Sequence, residues 1–137
     1  MKIGNTKVSS HNWTSPLKNI EQSCGVCHRE GKDWLESRVE DIQNKTKEIQ
    51  DIAGEAVVKA IEQLALARQT EGVDKELLTK AQEMHRKGQW YLDYVIVTNG
   101  YGFHNPTESI NNLGKALDYA HKAIQLAKDA MNKANQR

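Results

Sequence analysis

Apolar residues recur at intervals of three and four over most of the chain, and they fall into three runs. In the first, Leu35, Val39, Ile42, Ile49, Ile52, Ala56, Ala60, Leu64 and Ala67 follow one another at helical spacings, with Thr46 filling the one gap. This predicts a helix over about 33–71, opened by Asp33 as cap with Glu36 three residues on, and closed at Glu71-Gly72. At about 1.5 Å per residue it is a rod on the order of 55 Å, so long that a kink near Gly54 is a natural relief. The second run, Leu77, Ala81, Met84, Gly88, Tyr91, Val95 and Thr98, predicts a helix over 74–99, started by Asp74 and ended by Asn99-Gly100. The third, over 106–134, has a full start signal: Asn105 as cap, Pro106 at the first helical position and Glu108 at the third. Its stripe is Ile110, Leu113, Leu117, Ala120, Ile124, Ala127, Met131 and Ala134, alternating strictly three and four as a heptad seam does.

Residues 1–32 carry no such period. They hold the turn-forming "NWTSP" of Asn12 to Pro16 and scattered Gly and Ser, and no strand pattern or internal repeat is visible anywhere in the chain. The reading is all-α: an irregular N-terminal segment over 1–32, then one helical unit over 33–137 built as a long hairpin and a third helix. Short connections favour antiparallel neighbours.

Composition narrows the function classes. A net charge of +1 over 137 residues gives no reason to expect nucleic acid or an anionic membrane as partner. No stretch approaches the ~18 uncharged apolar residues of a membrane span. Met1 to Ser10, "MKIGNTKVSS", has no apolar core of a signal peptide.

The chemistry sits in "CGVCH", Cys24 to His28. The two thiols of such a motif add across the vinyl groups of haem, and the next residue, His28, becomes the proximal iron ligand. A thioredoxin-like pair would need a βαβ setting. A zinc site would need a fourth ligand, and there is no third Cys. Both cysteines lie inside the motif, so none remains for a disulfide framework. Haem c is attached outside the cytoplasm in most bacteria, so the motif beside an absent export signal suggests a portion of a longer chain. For the other face of the iron the candidates are His11 and His104, on turn-rich loops, and His85, His121, Met84 and Met131 on the helices. The methionines fit the core stripes, and mid-helix histidines are more often half-buried or surface groups than ligands.

Taken in order, "HNWTSPL" (His11 to Leu17), "CGVCH", a long helical hairpin and "GFHNP" (Gly102 to Pro106) resemble the C-terminal portion of the ammonia-forming cytochrome c nitrite reductases, over essentially the whole chain. These are periplasmic pentahaem enzymes. The resemblance implies that Cys24, Cys27 and His28 carry the fifth haem, that His11 is the distal ligand of the second and that His104 is the distal ligand of the fourth. The distal ligand of the fifth haem would come from upstream. So would the four further haems, the lysine-ligated catalytic haem among them, the active-site Arg, Tyr and His, and the calcium. It also implies a homodimer through the long helices and a quinol-oxidising or small cytochrome electron donor. On this reading the chain supplies a relay haem, two distal histidines and dimer-forming helices, and does not by itself reduce nitrite. Two other readings stay open: a self-contained monohaem carrier with Met84 or His104 as sixth ligand, and a helical module without haem.

Overall fold

The computed structural model describes residues 2–7 and 14–134. The chain divides into two compact units, 1–40 and 41–137. Three helices carry the fold: α1 (Lys32–Gln69), α2 (Lys75–Ile96) and α3 (Pro106–Ala134).

The unit over 1–40 begins with two residue pairs that the sequence reading did not anticipate as strands. Lys2–Ile3 (β1) pairs antiparallel with Thr6–Lys7 (β2), in the register Lys2 to Lys7 and Ile3 to Thr6. Gly4 and Asn5 make the two-residue connection, and Gly4 takes a φ of 59°, the conformation hairpin turns demand. Two residues per strand are too few to leave an alternation that a pattern search could find. After residue 13 the backbone is held by tight turns. Ser15 caps the short 3₁₀ helix Pro16–Asn19 by accepting from the Leu17 N–H. Among the described residues of this unit, the buried apolar side chains are Ile20, Leu35 and Val39.

Over 41–134 the helices form an up-down-up bundle. Gln43 reaches Gly100, and a hollow lined by Ile61, Leu64, Gln82 and His85 separates α1 from α2, so these two run antiparallel. The backbones of α2 and α3 come closest. A Cβ at Gly88 would stand 3.1 Å from the carbonyl oxygen of Ala116 and 3.3 Å from the Ala120 nitrogen. The bundle core joins Ala53, Val57 and Ala60 of α1 to Leu92 and Val95 of α2, and to Leu113, Ala116, Ala120 and Ala123 of α3. A second cluster, Leu64, Ala67, Ala81 and Ala127, closes the far end.

The helix starts at Asp74 and Asn105 follow the expected chemistry. The Asp74 carboxylate accepts from the Glu76 and Leu77 N–H groups, both at 3.1 Å, and the Asn105 side-chain oxygen accepts from Glu108 N–H at 3.1 Å. The start of α1 differs. Gly31, at φ 90°, accepts the first intrahelical bond from Leu35, so the helix begins at Lys32, and Asp33 lies within its first turn rather than capping it. Both interior ends come early. Helix α1 stops at Gln69 because Thr70 and Val73 close successive three-residue turns. Helix α2 stops at Ile96, where the Thr98 hydroxyl donates to the Val95 carbonyl at 2.6 Å and ties down an end carbonyl.

The inward faces also sit slightly off the expected stripes. Ala53 is buried where Ile52 was expected, and Ile52 is 51% exposed. On α3 the buried residues are Ser109, Asn112, Leu113, Ala116, Ala120, Ala123, Ala127 and Ala130, with Leu117, Ile124 and Met131 packed along the edge and Ile110 exposed. Leu113, Ala120 and Ala127 of the expected heptad seam are therefore turned inward within the chain.

Candidate haem-attachment site

The motif residues lie on a single turn. Cys24–Val26 forms a 3₁₀ helix, and the Cys24 carbonyl accepts from both Cys27 N–H (3.2 Å) and His28 N–H (3.0 Å). The turn is anchored from behind. Gly25 N–H donates to the Ile20 carbonyl at 2.7 Å, and a Cβ at Gly25 would lie 3.3 Å from that oxygen, so glycine lets the two backbones approach. The Ser23 hydroxyl donates to the Asn19 carbonyl at 2.8 Å, which fixes the residue before the first cysteine. Both cysteines are free thiols, Cys24 half-buried and Cys27 exposed.

His28 follows with its imidazole 56% exposed, and its Nδ1 lies 3.6 Å from the Glu30 carboxylate. That leaves Nε2, the nitrogen farther from the backbone, for a metal. Two thiols and a free imidazole nitrogen on one short turn fit the donor set for a covalently attached haem. Among the described residues no three His, Cys, Asp or Glu side chains gather into a metal-ion site, so the zinc alternative finds no ligand set there.

His104 belongs to the other unit, on the loop between α2 and α3. The backbone of this loop is tightly constrained. Gly100, Tyr101 and Gly102 are all left-handed, at φ 86°, 48° and 77°. Tyr101 has no glycine's freedom there, so its conformation costs energy that the surroundings must offset. The clamps are visible. Gln43 of α1 donates to the Gly100 carbonyl at 3.1 Å, and Phe103 N–H donates to the same oxygen at 3.0 Å. Gly102 is pressed onto α1 so closely that a Cβ there would fall 2.5 Å from the Thr46 hydroxyl. Thr46 and Ser109, both buried, direct their own hydroxyls to the Ile42 and Asn105 carbonyls. The His104 ring lies exposed against Gly100, where an added Cβ would meet its Cδ2 at 3.1 Å. The loop is thus a rigid mount for an outward imidazole.

His11 lies outside the described residues. His121 is exposed on α3, and His85 is half-buried with a buried Nε2 that has no hydrogen-bond partner; burial holds its pKa below the ordinary value. Met84 and Met131 pack against the two core clusters, as their stripe positions implied. Sequence reasoning missed Glu30 beside His28. Its signal was only its place, two residues past the ligand.

A family model described as cytochrome c552 matches residues 1–137. The cytochrome c nitrite reductase subunit NrfA of Nitratidesulfovibrio vulgaris is 41% identical over 130 residues, covering 90% of this chain and 25% of that protein. A cytochrome c-552 of Bacteroides fragilis is 34% identical over 120 residues, covering 88% of this chain and 24% of its own length. Among solved structures, the cytochrome c nitrite reductase catalytic subunit of Desulfovibrio desulfuricans, described with two calcium sites, superposes with a TM-score of 0.80 at 37% identity. That match covers 86% of this chain and 26% of the other. The chain spans about a quarter of the length of the relatives it matches.

Proposed function

Because the chain belongs to the cytochrome c552 family, of the nitrite reductase kind, we propose that it is the C-terminal electron-relay part of an ammonia-forming nitrite reductase working in the periplasm. Cys24 and Cys27 hold one haem c and His28 is its proximal ligand. His11 and His104 serve as distal ligands to haems attached elsewhere, and the remainder of the enzyme supplies four more haems, calcium and the substrate site. The observation that carries this reading is the Cys24–His28 turn, with two free thiols and an unengaged Nε2 side by side. The rigid mount under His104 supports the distal role: a loop forced into three left-handed residues in a row places one exposed imidazole.

The surface supports a larger assembly. Trp90 is 60% exposed and stacks on Tyr94 at 5.7 Å, and Tyr91 stacks on Tyr119 at 5.8 Å, with Lys87 and Lys122 over the Tyr119 ring. Large aromatic area left in water suits a face that the remainder of the enzyme covers. Helix α1 leaves Ile52, Val58, Ile61 and Leu66 about half exposed. With Leu113, Ala120 and Ala127 of α3 buried inside the chain, those α1 side chains are the better support for a homodimer through the long helices. The electron donor is a quinol-oxidising or small cytochrome. No described helix is long and apolar enough to cross a membrane.

Haem, when bound, stores one electron at a time, whereas nitrite reduction to ammonia takes six. The chain offers no lysine-ligated motif to leave an iron face open, and no group of Arg, Tyr and His at its motif. A viologen-driven nitrite assay on the haem-loaded chain should therefore yield no ammonia. Ammonia at a multihaem enzyme's rate would show that the relay reading is wrong. Sedimentation equilibrium should give a dimer mass, and a monomer at high concentration would remove the dimer from the account.

A further inference from the structure

Glu30 stands where it can act on the haem iron through His28. Its carboxylate is 3.6 Å from the His28 Nδ1. Lys32, two residues on, pairs with Glu36 at 3.7 Å along α1. Gly31, at φ 90°, turns the chain immediately afterwards and opens the helix, so Glu30 is placed by a bend that only glycine adopts at little cost. A histidine that binds metal through one ring nitrogen donates its other N–H to a second group. A carboxylate in that place fixes the tautomer, orients the ring and raises the basicity of the ligating nitrogen.

The geometry points to Glu30 as the positioning residue of the proximal ligand: its carboxylate, 3.6 Å from Nδ1 and just beyond hydrogen-bond length, acts electrostatically on the Nδ1–H of His28, increases electron density on Nε2 and favours the ferric over the ferrous haem. This assignment rests on the proposed role of His28 as iron ligand. The functional consequence is a relay haem of lowered potential, one that passes electrons on more readily than it keeps them.

The test uses the haem-loaded chain, its Glu30→Gln and Glu30→Asp variants, and Glu36→Gln as a control carboxylate in the same unit. The midpoint potential is read by spectroelectrochemistry and the iron–imidazole stretching frequency of the ferrous haem by resonance Raman. Removing the Glu30 charge should raise the potential, so that the reduced-to-oxidised ratio at a fixed ambient potential rises roughly three- to tenfold; tenfold corresponds to about 59 mV for one electron. The stretch should move to lower frequency in Glu30→Gln, recover in part in Glu30→Asp and stay unchanged in Glu36→Gln. An unchanged stretch in Glu30→Gln overturns the proposal, including when the potential shifts equally in Glu30→Gln and Glu36→Gln, which is a general charge effect. Failure of the underlying ligand reading looks different: the wild-type haem shows no iron–imidazole stretch, or extracts into acid acetone, and the assignment of Glu30 falls with it.

Discussion

The turn that holds Cys24 to His28 and the bundle over 41–134 keep their shapes by different means. The bundle is packed from side chains: Ala53, Ala60, Leu113, Ala116, Ala120, Ala123 and Ala127 are fully buried, and Gly88 lets α2 and α3 meet almost backbone to backbone. The motif region has little of this. Its helical turns rest on backbone and Ser23 hydrogen bonds, and among the described residues before α1 Ile20 is the one buried apolar side chain. A segment this small cannot be secured by burial alone, and small units of this kind are fastened by covalent or metal links. The difference teaches where the cofactor matters. The bundle should fold without haem, whereas the motif turn gains its fastening from it.

The sharpest way to break that contrast is to remove the thiols. A Cys24→Ala, Cys27→Ala double variant should lose all covalent haem while its helical circular dichroism and the denaturant midpoint of the bundle stay within error of wild type. A bundle that melts with the thiols gone would show that the two regions are not separable in this way.

The next effect in size comes from the bundle's tightest contact. Gly102→Ala puts a Cβ 2.5 Å from the Thr46 hydroxyl and 2.9 Å from its methyl carbon at a φ of 77°. Overpacking and the left-handed backbone together should cost about 3 kcal/mol in urea unfolding. Adding Thr46→Ala should recover the part due to the clash and leave the part due to φ.

Asp74→Ala should cost less. The Leu77 N–H, followed by the Lys133 ammonium, holds the Asp74 carboxyl below its ordinary pKa of 3.8. The folded state therefore favours the ionised form. The stabilisation is present above the ordinary carboxylate range and is lost as the pH falls through the lowered folded value. Wild type and variant should differ in thermal midpoint near neutral pH and converge in strong acid; a gap that persists there would mean the cap acts without its charge.

The smallest effect belongs to His85, whose pKa burial lowers from 6.5. Below about pH 6.5 the unfolded chain takes up the proton first, so stability declines as the pH falls. With the ring partly open to water, the loss by pH 5 should stay under about 1 kcal/mol. His85→Gln should flatten this limb, and an unchanged slope would place the titrating group elsewhere.

The same contrast explains what could be read from the chain beforehand. Helix starts were legible at Asp74 and Asn105 because capping is local chemistry. The spacing of Cys24, Cys27 and His28 is local in the same way, and the three residues lie on one turn. The inward faces were read less well, since larger apolar residues drew the eye. Where helices approach this closely, small residues take the centre, so Ala53 and Ala116 lie inside while Ile52 and Ile110 stand at the edge. Tertiary contacts left no trace in the pattern at all: nothing local announces that Gly102 is seated on Thr46.

The central claim is that Cys24 and Cys27 bind haem covalently on the turn that presents His28. Intact-mass measurement after acid-acetone treatment of the chain, matured where haem c is attached, tests it most directly. The account predicts one species, heavier than the polypeptide by a single haem, with the colour retained by the protein. A polypeptide of unmodified mass, with the colour in the acetone, would contradict it.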